Sequence, residues 1–123
     1  MSLAVSNLTG LVIFIVVLAA GQLLFKKAGL SIHGLPLRDG LLTLAQIPAF
    51  YAAIVLYALS TFLWVWLLSR VTLVQAYPWV AAGVIIVPLL STLIFGERVT
   101  STYRLGTALI VAGIILTQYS IQG

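Results

Sequence analysis

The stretch Leu8-Thr9-Gly10-Leu11-Val12-Ile13-Phe14-Ile15-Val16-Val17-Leu18-Ala19-Ala20-Gly21-Gln22-Leu23-Leu24-Phe25-Lys26-Lys27 decides the fold. It is an apolar run closed by paired lysines, and about 20 such residues suffice to cross the hydrocarbon of a bilayer as a helix. No basic segment precedes it and no small-x-small cleavage site leads into polar sequence, so it reads as a membrane helix and not as a cleaved leader. The rest of the chain has the same character. Of 123 residues 63% are hydrophobic and only 7% are charged, against about 25% charged in an ordinary soluble chain. A mean hydropathy of +1.23 leaves too little polar surface to face water. These values exclude a soluble enzyme, a nucleic-acid reader and a disordered linker.

The charges mark the ends of further spans. A loop with Gly29, Gly34, Pro36, Arg38, Asp39 and Gly40 follows the first run. Within it Leu41-Leu42-Thr43-Leu44 can lie along the interface before Pro48 starts the next helix. The pattern predicts an all-α membrane protein with four transmembrane helices, over about 8–25, 48–69, 72–95 and 103–119, as a single domain. Gly96, in Phe95-Gly96-Glu97-Arg98, is placed to end the third helix. Lys26, Lys27, Arg38, Arg98 and Arg104 fall on one side of such a bundle, and Arg70 alone on the other. That bias predicts cytoplasmic first and third loops and both termini on the opposite, periplasmic side.

The chemistry available inside the spans is limited. Cysteine is absent and His33 is the only histidine, so no metal site, cofactor or catalytic machinery is expected. Neither acid falls within a predicted span, since Asp39 is in the first loop and Glu97 lies beyond the third helix. Gln22 and Lys26 are four apart and share one helix face. Two readings of the lysines stand: Lys26 and Lys27 snorkel to the headgroups as anchors, or Gln22 and Lys26 face the bundle and hold an anionic headgroup. Tyr77 and Trp79 similarly belong either to an interfacial aromatic belt or to the wall of an amphipathic cavity. Pro78 and Pro88 each remove a helix hydrogen bond and are expected to bend the third helix. Gly106, Gly113 and the adjacent Ala112 offer a small-residue stripe for close helix packing, within or between subunits. Ser60 and Thr61 are expected to bond their own backbone.

Several motifs carry a resemblance. Ala20-Gly21-Gln22-Leu23-Leu24-Phe25-Lys26-Lys27-Ala28, Gln75-Ala76-Tyr77-Pro78-Trp79, Pro88-Leu89-Leu90-Ser91, Phe95-Gly96-Glu97-Arg98 and Gly106-Thr107-Ala108-Leu109-Ile110-Val111-Ala112-Gly113 occur in an order that resembles small four-helix members of the drug/metabolite transporter superfamily, which includes EamA-like proteins. The similarity covers nearly the whole chain except loop one. The last motif is similar to the glycine heptad through which small multidrug resistance proteins dimerise. That branch carries an essential glutamate where this chain has Val17 or Leu18, so the resemblance does not extend to proton-coupled cation export.

The Ala-Gly-Gln-Leu…Lys and Ala-Tyr-Pro motifs resemble the other branch, the aminoarabinose-phosphoundecaprenol flippase subunits. This implies a flippase of the bacterial inner membrane that moves a polyprenyl-phosphate sugar, working as a homodimer or as a heterodimer with a related small subunit. The substrate groove would be basic, free of carboxylates and set between subunits. Gln22 and Lys26 would hold the phosphate, and Tyr77 and Trp79 would line the path. The rival functions are export of small organic cations or metabolites, and a non-transporting membrane subunit that holds a partner.

Overall fold

The computed structural model describes residues 5–122, and among them all regular structure is helical. The order is α1 (Val5–Ser31), α2 (Leu37–Leu44), α3 (Pro48–Leu68), α4 (Leu73–Ala81), α5 (Gly83–Phe95) and α6 (Ser101–Gln122). Three segments are long and apolar enough to cross a membrane: Val5–Ser31, Pro48–Leu68 and Leu73–Phe95. The apolar part of α6 is shorter, because Arg104 stands near its start and Gln118 near its end. Phe62, Val74, Leu93 and Leu109 are among the many large apolar side chains left on the outside. A surface of that kind is one for lipid.

Between Gly10 and Gly21 α1 is apolar all round, and the helix occupies the middle of the molecule. It packs most extensively on α3 and also meets α4 and α5, whereas α6 packs on α4 and α5. Leu11, Phe14 and Ile15 of α1 join Leu67 at the end of α3, Val71 in the turn and Ala76 in α4 to form the buried core. At its other end α1 places Phe25 beside Phe50 and Tyr57 near the start of α3. α1 and α3 are therefore antiparallel. Gly10 is what lets them close up: a Cβ there would stand 2.8 Å from Leu67 Cδ2 and 3.1 Å from Trp66 Cζ3. With apolar lipid on the outside, tight packing of this kind holds membrane helices together where water exclusion does not.

The helix ends follow from local chemistry, not always where the charges suggest. α1 continues past Lys26 and Lys27 for another turn, since polar side chains do not interrupt a backbone ladder. It stops before Gly34, whose φ of +81° is left-handed. The expected loop from 28 to 47 thus loses its first residues to α1 and gains α2, whose Leu37, Leu41 and Leu42 are exposed. Pro48 stands at the first turn of α3 as expected. Thr72 and Gln75 form a reciprocal capping box at the start of α4.

The third predicted span is one rod with a break. Pro78 and Pro88 both sit inside helical turns, and the interruption falls between them at Ala82. There the Ala82 amide bonds Trp79 O and the Ile85 amide bonds Ala82 O, three residues back instead of four. Each proline lacks a donor for the ladder, and Gly83 adds backbone freedom at the weak point. Gly96, at φ +69°, ends α5 in the left-handed conformation expected of it.

Candidate functional site

The left-handed turn at Gly96 reverses the chain and brings Glu97 back over the end of α5. Its carboxylate accepts a hydrogen bond from the Ser91 hydroxyl at Oε2 and pairs through Oε1 with Lys26 Nζ at 3.0 Å. Ser91 is buried, while the Lys26 and Glu97 side chains are each 45% exposed. The Ser91 hydroxyl and the Lys26 ammonium hold the Glu97 carboxyl below its usual range. The group is accordingly ionised at neutral pH. This is the one ion pair among the described residues. It places the ends of α1 and α5 together, so loops one and three share an end of the bundle.

A cavity of about 520 Å³ opens beside the pair. Gln22 and Lys26 line it from α1, Pro88, Ser91 and Thr92 from α5, Glu97, Arg98 and Thr100 from the loop, and Tyr103 from α6. Its size suits a small-molecule group. Its chemistry is mixed: two cationic heads, one carboxylate, an amide and several hydroxyls. Gln22 and Lys26 do stand together, one turn apart. Lys27 is exposed and outside this lining. The expectation of a carboxylate-free groove is corrected here, because Glu97 lies beyond the helix in sequence but folds back into the cavity.

Tyr77 and Trp79 are elsewhere, and apart from each other. Tyr77 lines a second cavity of about 340 Å³ with Phe14, Leu18, Tyr57, Ser60, Thr61, Trp64 and Val80. Trp64 stacks on Phe14 with centroids 5.0 Å apart and meets Tyr77 edge-on at 5.9 Å. Ser60 and Thr61 both donate to Tyr57 O, at 2.7 and 2.9 Å. Trp79 packs against the core, and its indole N–H donates to Gln118 Oε1 of α6 at 3.1 Å. Phe14, Leu18, Gln22 and Lys26, spaced four apart, form a stripe along α1 that runs from the second cavity to the first, a rise of about 18 Å. Trp66 points outward and is covered by Arg70, whose guanidinium lies 4.4 Å from the ring centroid.

On α6, Gly113 and Ala112 are exposed and Gly106 is half-buried. A Cβ added at either glycine would meet nothing within 4 Å. The stripe is thus not used for packing inside the chain. Sequence inspection missed Glu97, Ser91 and Arg98 as members of the cavity, and the only local signal for them is the helix-ending Gly96 immediately before the acid.

Comparison with known proteins agrees with this architecture. Residues 1–119 match the EamA-like transporter family. One relative, from Yersinia pseudotuberculosis serotype O:1b (strain IP 31758), is named probable 4-amino-4-deoxy-L-arabinose-phosphoundecaprenol flippase subunit ArnE. It is 36% identical over 67 residues, which are 54% of this chain and 59% of the relative. A relative of the same name from Pseudomonas aeruginosa (strain UCBPP-PA14) is 33% identical over 78 residues, 63% of this chain and 68% of the relative. The matched stretch thus spans about three fifths of the Yersinia protein's length. No solved structure matches the chain. With 119 residues of family match laid over an all-helical chain that has three helices of membrane length, the protein is a multi-pass membrane protein and belongs to the EamA-like transporter family.

Proposed function

We propose that the protein is a flippase subunit of the bacterial inner membrane that carries a polyprenyl-phosphate sugar across the bilayer. The observation that carries this reading is the placement of Gln22 and Lys26, one turn apart on a predominantly apolar helix, in the same polar cavity. The names of the relatives support the same substrate class. The headgroup enters the 520 Å³ cavity with its phosphate at Lys26 and Gln22, and Arg98 lends a second positive charge. The polyprenyl tail stays in lipid beside the apolar outer surface. Protein donors that replace the headgroup's water lower the cost of bringing a charge to membrane depth. The stripe from Lys26 to Phe14 leads the head toward the Tyr77 cavity, and Trp79 braces α4 against α6 alongside it.

In this reading α6 is a fourth crossing, both termini lie in the periplasm and loops one and three in the cytoplasm. The open stripe of Gly106, Ala112 and Gly113 packs against a second subunit, either another copy or a related small chain. Reconstitution of the protein in proteoliposomes with a fluorescent polyprenyl-phosphate sugar tests the assignment. Lys26→Ala is expected to slow flipping at least tenfold, and unchanged flipping would remove Lys26 from the phosphate site. Export of organic cations is disfavoured by Glu97, which is ionised and already paired with Lys26, leaving no carboxyl poised to exchange a proton for a cation. Tight, pH-dependent binding of tetraphenylphosphonium would reverse that preference.

A further inference from the structure

The polar cavity continues past its own wall. Four of its lining residues, Pro88, Thr92, Val99 and Tyr103, also line a groove of about 200 Å³ between α5 and α6. Val84, Tyr103 and Thr107 carry that groove on into another of about 250 Å³, which Gly106 and Ile110 complete. Together the two grooves form one trough that opens from the cavity. From Tyr103 to Ile110 it follows α6 for a rise of about 10 Å, away from the end of the molecule where Lys26 lies. Space for it is left because α5 and α6 meet only sparsely, with Pro88 and Gly106 putting little bulk between them.

The chemistry changes along the way. Beside Lys26 the lining is charged and polar, and past Tyr103 it is largely apolar. The threonines on the wall do not alter this, because Thr92 donates to Leu89 O at 2.7 Å and Thr107 to Tyr103 O at 3.0 Å, each within its own helix. Of the described residues that line the two grooves, Arg104 alone is charged. A depression that is polar at one end and apolar along the rest fits an amphiphile, with its head in the cavity and the start of its chain in the trough. An apolar chain free in the bilayer has little reason to choose a groove, since the lipid around it is just as apolar. A chain whose head is held at Lys26 is different, because the tether keeps it at the trough's mouth at high effective concentration. From this continuity we propose that the trough between α5 and α6 is a second subsite, which seats the segment of hydrocarbon next to the phosphate. The proposal rests on the reading above that the cavity holds a lipid phosphate, and it adds which part of the outer surface the chain takes.

The test uses the full chain in lipid nanodiscs and a short polyprenyl phosphate with a photoreactive diazirine on its first isoprene unit. Phosphate binding is read from the phosphorus resonance, and the seat of the chain from the residues labelled on irradiation. Phe62 and Leu93 are more exposed than Val84 and Ile110. Labelling of Val84 and Ile110 is nonetheless expected to exceed theirs by about fivefold, the preference a modest packing gain provides in lipid. Thr107→Phe, which fills the trough where its two grooves meet, is expected to abolish the enrichment and keep the bound phosphorus signal. Val84→Phe closes the same point from α5 and decides the matter if Thr107→Phe does not fold. Lys26→Ala is expected to lose both the phosphorus signal and the enrichment. A bound phosphate with labelling spread evenly over the apolar surface overturns the trough and leaves the phosphate site standing. Equal enrichment by a photoreactive phosphatidylethanolamine, the mark of a groove for any bilayer lipid, overturns it too. So does a disulfide between two copies through Val84→Cys, which would put a second chain there. Absence of a bound phosphorus signal in the wild type overturns both readings.

Discussion

Replacing Gly10 by alanine should show whether the close approach of α1 and α3 is what holds them together. The new Cβ would stand 2.8 Å from Leu67 Cδ2 and 3.1 Å from Trp66 Cζ3. Leu67 is fully buried, so moving its Cδ2 aside means repacking the core around it. Overpacking of this kind costs about 1–3 kcal/mol. Against it, alanine in a helix interior is favoured over glycine by about 1 kcal/mol. The net effect of Gly10→Ala in the wild-type background is therefore a loss of about 0–2 kcal/mol. In a Leu67→Ala background the 2.8 Å contact is removed and the 3.1 Å contact with Trp66 Cζ3, at the end of a partly exposed ring, is the one left to relax, so the same substitution should stabilise by up to about 1 kcal/mol. The coupling between the two positions is the difference, about 1–3 kcal/mol. Reversible unfolding of the four proteins in mixed detergent micelles, followed by tryptophan fluorescence, measures it directly. If Gly10→Ala has the same effect in both backgrounds, the packing argument is refuted.

Three further outcomes are expected. Glu97 is held below its ordinary value of 4.5, so its stabilising contact is complete above that pH and is lost as the pH falls through the lowered value; thermal stability should drop in that acid window for the wild type and stay flat there for Glu97→Gln. Trp79→Phe leaves Gln118 Oε1 without its donor beside an Nε2 that is already buried without a partner, at a cost of about 1–3 kcal/mol in unfolding. Gln118→Leu in the same background should recover much of that loss, and a neutral Trp79→Phe would show that the bond contributes nothing. Single cysteines at His33 and Thr100 should both react with an impermeant thiol reagent from the same face of oriented vesicles, and labelling from opposite faces would contradict the shared end of the bundle.

The helical class and the use of glycine and proline at helix ends were legible because they rest on local chemistry. Gly96 ends α5 and Pro48 begins α3 for reasons contained within a few residues. The extent of α1 was less legible, since Lys26 and Lys27 mark where the apolar side chains end and not where the hydrogen-bond ladder does. Tyr77 and Trp79 looked like one wall because they are close in sequence. Two positions along a helix turn a side chain through about 200°, and the structure sends one to the aromatic cavity and the other to α6. Glu97 was hidden for a different reason. Its partner Lys26 is distant in the chain, and only the three-dimensional return after Gly96 brings the acid to the lysine.

The length of α1 has a consequence for how a ligand would arrive. Its 27 residues extend about 40 Å, some 10 Å more than the hydrocarbon of a bilayer is thick. If its apolar part fills that thickness, the turns carrying Lys26 and Ser31 project into the zone of hydrated headgroups. The mouth beside Gln22 then lies at the boundary between oil and water. A lipid drifting in its own leaflet brings its polar head to that height without leaving the membrane plane, so it can exchange hydration for side-chain donors a few groups at a time and need not shed its whole water shell in one step.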